Sequence, residues 1–152
     1  MRLRLHRYSL APVFALVVLV FALAGCDAGP KAIVYGQDEC VECRMTLADR
    51  HYGAELITPK GKVLKFDDVN CLLTVRTRPG VGSESQVVLV DFNRPNVFLP
   101  AADAWFLQHD RLHTPMASGL AAFATEAELT AARQQLGGGG RTLRWSDVLL
   151  LP

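Results

Sequence analysis

One order of elements is written twice in this chain, and it limits the fold more than any other feature. In "YGAELITPKGKVLKFDD", Tyr52, Ala54 and Leu56 alternate along one arm, and Leu64 and Phe66 share a face of the other. Pro59 and Gly61 supply the turn chemistry between the arms, so the stretch predicts a hairpin. "DVNCLLTVR" follows Asp67 and Asp68, either of which can N-cap a helix, and Val69, Leu72, Leu73 and Arg76 fall at helical spacing. After the break "RPGVGSES", "QVVLVDF" is a β-branched strand. The second half repeats the order. "AWFLQHD" and "GLAAFA" predict strands, "TEAELTAARQQLGGGG" a helix opened by a Thr125 and Glu128 capping box and stopped at Gly137, and "TLRWSDVLLL" a closing strand. The connecting "FNRPNVFLPAAD" holds two prolines and suits a linker, and "AIVYG" is too short for more than an edge strand. The expectation is an α+β fold of two small ββαβ units packed together, residues 39–98 and 99–152. A single α+β domain is the plainer alternative, because short element orders repeat by chance.

The residues ahead of these units belong to export. Arg2, Arg4 and Arg7 form a charged start, and "APVFALVVLVFALAG" is the apolar core that follows, in the order of a secretory signal. As a spanning helix the run is near the lower length limit. It ends in "LAGC", which resembles the lipobox of bacterial lipoproteins. That resemblance implies a signal peptide over residues 1–25, a lipidated Cys26 as mature N-terminus, and a tether over residues 26–38. The domain then stands on the periplasmic side of a bacterial membrane, held by acyl chains. Asp27 resembles the residue that retains lipoproteins in the inner membrane of enteric bacteria. In a chain of net charge +1, lysine and arginine are scattered, which leaves no basic stripe for nucleic acid.

With Cys26 lipidated, the exported part keeps Cys40, Cys43 and Cys71, an odd number in a compartment that favours disulfides. The CxxC at Cys40 and Cys43 is open to three readings: a redox pair, part of a zinc site, or part of a site for a softer metal. Sulfur ligands select copper(I) or zinc, and thioethers discriminate, being poor zinc ligands and good copper(I) ligands. Apart from Met1 the methionines are Met45 and Met116, both in polar segments. Methionine is usually core filler, but neither segment offers an apolar stripe to join. If "CRM" is extended, Cys43 and Met45 project to one side and form a clip. Cys71, in the first turn of its helix, is equally open to burial and to metal binding. Cys40 is a ligand, a spectator or the oxidation partner of Cys43. His113, three residues before Met116, is a further candidate ligand, although exposed histidines are mostly solvated; His51 and His109 carry less weight.

The series of a lipobox, "CVECRM", "YGAELITPKGKVLKFDDVNCL" and "TPMASGLAAF" resembles the NosL family, the lipoproteins that accompany bacterial nitrous-oxide reductase in denitrification. The resemblance runs from Glu39 to Asp147. It implies two ββαβ units and a metallochaperone rather than an enzyme. Such a protein binds one copper(I) and delivers it for assembly of the reductase's copper centre, with help from a membrane transporter complex. Carried over by motif, the ligands are Cys43, Met45 and Met116. Many members have glycine where this chain has Arg44, and a second methionine where it has Leu120. Two other readings stand beside this one: a membrane-anchored thiol–disulfide oxidoreductase using the CxxC, and a structural zinc site of Cys40, Cys43, Cys71 and a histidine. No Ser/His/Asp set, phosphate loop or paired carboxylates support hydrolysis, and "FDD" reads as a strand end and helix cap.

Overall fold

The computed structural model describes residues 29–81 and 84–151, so the signal sequence, Cys26 and Asp27 lie outside the described residues. The first unit forms as its pattern predicts. β1 (Ala54–Ile57) and β2 (Val63–Phe66) make the hairpin, with Gly61 at φ 78° in its turn. α1 (Val69–Arg76) is N-capped by Asp68, whose carboxylate accepts the Asn70 N–H at 2.9 Å, and β3 (Gln86–Asp91) returns antiparallel to β1. The second unit follows suit with β5 (Trp105–Gln108), β6 (Leu120–Phe123), α2 (Glu126–Gln135) and β7 (Arg141–Leu143). Thr125 and Glu128 close the capping box at the start of α2, each side chain accepting the other's backbone N–H at 3.2 Å.

Strand order gives the repetition its physical content. The path through the sheet is β2-β1-β3-β6-β5-β7, so in each unit the first strand lies between the second and the third, and every pairing inside a unit is antiparallel. The units join where β3 meets β6 in parallel, at Asp91 and Ala122, with the Phe92 N–H donating to the Ala122 carbonyl at 2.9 Å. This is an α+β fold of two ββαβ units sharing one sheet. α1 packs on β1 and β2, α2 on β5 and β6, and Phe66, Phe106, Phe123, Leu56, Leu72 and Leu129 are among the fully buried side chains.

Three expectations about elements are corrected. The proline-bearing "linker" contains a strand, β4 (Arg94–Pro100), paired with β3 and running across the expected boundary between Phe98 and Leu99. Its named pairing is with β3 only, which leaves the prolines tolerable. Its register slips between Val90 and Asp91, next to Pro95 and an Asn96 at φ 60°. The closing strand stops at Leu143, after which Trp145–Val148 turn into a short helix, α3, with the Asp147 carboxylate accepting the Arg144 N–H at 2.8 Å. "AIVYG" makes a turn rather than a strand.

That turn belongs to a strap laid over the sheet. The Lys31 N–H donates to Glu55 Oε2 at 2.9 Å, the Asn96 side chain both accepts from and donates to the Ile33 backbone, and Lys65 Nζ donates to the Ala32 carbonyl at 2.8 Å. Ile33 is buried as a result, and β1 is buried on both faces. Lys65 also pairs with Asp38 at 2.6 Å and holds that carboxyl below its ordinary range. Glu55 is fully buried with no partner for Oε1, and burial raises its carboxyl above the ordinary value. In the unfolded chain a glutamate titrates at about 4.3. The stability linked to Glu55 is therefore fully present below that value and is lost as pH rises through the raised one. Glu55→Gln keeps an acceptor for Lys31 without the buried charge, so it should melt higher than wild type at pH 7, with the gap closing towards pH 4. Thermal unfolding at both pH values checks this, and a gap independent of pH would count against it.

Candidate metal centre

The loop that carries the CxxC is closed at its base by a bridge between Glu39 and Thr46. Inside it the Cys40 N–H donates to the Met45 carbonyl at 2.8 Å and the Arg44 N–H to the Cys40 carbonyl at 3.1 Å, while the Val41 N–H pins the loop to the Lys65 carbonyl of β2 at 3.0 Å. Arg44 has φ 63°. The segment is thus a tight turn with one left-handed residue, and the extended clip of Cys43 and Met45 is not formed. Glycine takes that conformation at least cost, so Arg44 holds it at some strain. The turn buries Cys40 completely, half-buries Cys43, and leaves Met45 48% exposed.

Two further donors come from the junction of β2 and α1. Asp67 follows the last residue of β2, and Cys71 lies in the first turn of α1, both buried. Donor atoms of Cys40, Cys43, Asp67 and Cys71 all lie within 4.8 Å of one another. The Cys43 thiol donates to Asp67 Oδ2 at 3.3 Å, whereas Asp67 Oδ1 is buried with no partner. All three cysteines are free thiols. Burial pushes the Cys43 thiol up to about 11, with hydrogen bonds to Cys40 and Asp67 adding to the rise. Cys71 is raised too, chiefly by burial and then by charge on Cys40 and Asp67. The pocket therefore disfavours thiolates by itself, and a cation placed among these donors reverses that preference.

Met116 reaches the same junction from the second unit. Asp68 Oδ2 accepts the Met116 N–H at 2.8 Å and the Ser118 N–H at 3.5 Å, and Asn70 Nδ2 donates to the Met116 carbonyl at 3.0 Å. The loop is shaped by Ala117 at φ 57° and by Gly119 at φ 63°, where a Cβ would stand 3.0 Å from the His109 carbonyl oxygen. The Met116 side chain is 38% exposed.

Of the residues singled out in the sequence, the fold thus gathers Cys40, Cys43 and Cys71. It anchors the backbones of Met45 and Met116 beside them and leaves both thioethers at the surface. His113 is exposed, in a depression with Gln108, Thr114 and Ser118, and is not among the clustered donors. His109 is buried for structure: its Nε2 meets the Gly138 carbonyl at 2.9 Å and its Nδ1 accepts the Arg111 N–H at 3.0 Å. His51 is exposed and paired with Asp49. Asp67 was not foreseen as a donor. The available signal was the doubled aspartate, since one cap needs one carboxylate and Asp68 takes that part.

The sequence profile of the NosL family matches residues 31–149. Among solved structures, the copper chaperone NosL from Shewanella denitrificans is similar, with a TM-score of 0.64 and 23% identity over 78% of this chain and 94% of that one. No curated protein matches the sequence.

Asp68 joins the two units at this centre. Asp68→Ala removes a helix cap and the acceptor of two loop N–H groups, and should destabilise the fold by roughly 1–3 kcal/mol in urea unfolding. Amide exchange at Met116 and Ser118 should accelerate by far more than at strand residues. Unchanged exchange at Met116 would show that Asp68 does not hold the loop.

Proposed function

The chain belongs to the NosL family, and from that premise we propose that it is a copper(I) carrier, a metallochaperone without catalytic activity of its own. The observation that carries the reading is the cluster of three free thiols around a buried, half-satisfied carboxylate, flanked by the anchored backbones of two exposed methionines. Copper(I) is a soft ion for which both thiolate and thioether are good ligands. Cys43, Met45 and Met116 are the donors a partner can reach, since both thioethers are exposed and Cys43 is only half-buried. Such an ion leaves by stepwise ligand exchange, each incoming donor replacing one of the carrier's own. His113, outside the cluster, has no part in this reading.

The recipient we propose is nitrous-oxide reductase, whose copper centre is assembled with the membrane transporter complex as second partner. The family resemblance supports this, as does the lipobox ahead of Cys26. Acylation of Cys26 fixes the carrier to the periplasmic side of the bacterial membrane, with Asp27 favouring the inner one. A thiol–disulfide oxidoreductase fits less well. Its CxxC should open a helix and hold a thiol of lowered pKa, whereas here Cys40 and Cys43 sit on a turn and the Cys43 thiol is pushed up.

The reduced mature protein should bind one copper(I) in preference to zinc in competition against a copper(I) chelator and against zinc. In cells short of copper, Met45→Ile and Met116→Ile should each slow nitrous-oxide reduction several-fold, with partial rescue by added copper. Tighter zinc binding would favour the structural-zinc reading; methionine variants that behave as wild type would remove the thioethers from delivery. Separately, Cys26→Ser should accumulate as an uncleaved or mislocalised precursor. Lipid-labelled mature protein from that strain would refute the anchor.

A further inference from the structure

Among the described residues few large apolar side chains are exposed, and most of them have a local reason. Met45 and Met116 belong to the loops at the metal centre, and Leu149 and Leu150 follow the short helix α3. Val34 and Val97, 48% and 43% exposed, have no such reason. They lie far apart in sequence, in segments that the fold ties together. Asn96 Oδ1 accepts the Ile33 N–H at 2.8 Å and Asn96 Nδ2 donates to the Ile33 carbonyl at 3.2 Å, and each valine directly follows one member of that pair. Tyr35, half-buried, continues the apolar run along the strap, with the Arg50 guanidinium 5.4 Å from its ring centre.

The charge around this patch is one-sided. Neither residues 29–35 nor residues 92–100 include a carboxylate, and Lys31 is exposed at the edge of the strap. The carboxylates nearby are engaged or buried: Asp38 pairs with Lys65, Asp49 with His51, Asp91 and Glu128 with Arg94, and Glu55 is fully buried. An apolar patch bordered by cations suits the headgroup region of an anionic bilayer, where valines meet the acyl boundary, a tyrosine ring lies in the interface and Lys and Arg meet phosphate.

We propose that the face formed by the strap and β4, with Lys31, Val34, Tyr35 and Val97 at its centre, docks on the lipid surface that holds the acyl chain of Cys26. The inference rests on the proposed anchor and adds the orientation of the domain to it. Lys31 lies five residue steps after Cys26, so the strap is the part of the described fold nearest along the chain to that surface. Two valines are too few to hold a free domain on lipid. A short tether makes the contact intramolecular, at an effective concentration on the order of millimolar, and a weak contact is then populated. The anchor fixes where the domain is, and the face fixes which way it points.

The acylated protein in nanodiscs of phosphatidylethanolamine and phosphatidylglycerol, doped with a gadolinium-bearing lipid, tests this by methyl NMR. Relaxation of the Val34 and Val97 methyl groups should be enhanced severalfold over that of Leu149 and Leu150, which are exposed elsewhere. In Val34→Asp/Val97→Asp the excess at the neighbouring, exposed Ala32 methyl should be lost, with thermal stability unchanged. Enhancement at Val34 and Val97 no greater than at Leu149 and Leu150 would overturn the docking face and leave the anchor standing, and so would a dimer in which a second copy covers the valines. Purified protein without an acyl group would remove the anchor and the docking face with it. The wild-type measurement decides the matter even if the double variant does not fold.

Discussion

At the step from β2 into α1, two adjacent carboxylates do different work, and the centre depends on both. Asp68 caps the helix and, with its other oxygen, takes the Met116 N–H from the second unit. That bond brings a methionine 48 positions downstream to the mouth of a site built by the first unit. Asp67, one residue earlier, is turned into the thiols. Because a strand end and a helix start fix the backbone on both sides, the two side chains cannot exchange roles without rebuilding the junction. The parallel contact of β3 with β6 is short, a single registered pair, so the polar clasp at Asp68 supplements a modest seam.

The electrostatics of the cluster argue for an ion and against redox chemistry in the same terms. Four donors that are anionic when ionised are gathered together, three of them buried and Cys43 half-buried, and without a cation burial keeps the Cys43 and Cys71 thiols protonated. A thiol–disulfide enzyme needs the reverse, a local field that favours thiolate at neutral pH. A metal carrier benefits from protonated thiols, since they are slow to oxidise while empty and ionise only when an ion arrives.

How far the fold could be read from the sequence depended on the range of each signal. The hairpin, both helices and their caps were legible because turn residues, capping side chains and apolar spacing act within a few positions. β4 was hidden by Pro95 and Pro100, which argue against a central strand but are harmless where one edge stays free. The shape of the CxxC loop is not legible from spacing, because alternation holds only in extended backbone and the left-handed Arg44 breaks it. The convergence of Cys40 and Cys43 with Cys71 was legible only as a possibility. It is made by the Val41 bond to β2 and by the α1 entry, contacts that no local spacing encodes. Asp67 is masked in the sequence by its neighbour, which has the same residue type and suffices as the helix cap.

The strap fastened by Glu55, Lys65 and Asn96 would set the length of the leash between the domain and the anchor proposed at Cys26. Among the described residues Lys31 is tied to the sheet through Glu55, and it lies five residue steps after Cys26. Fully stretched, these span no more than about 18 Å. Under the proposed acylation of Cys26, the domain would be held close above the bilayer, with its reach a small cap of space around the anchor. For a recipient that is itself membrane-bound, encounter with a domain so anchored would become a two-dimensional search in the plane of the bilayer.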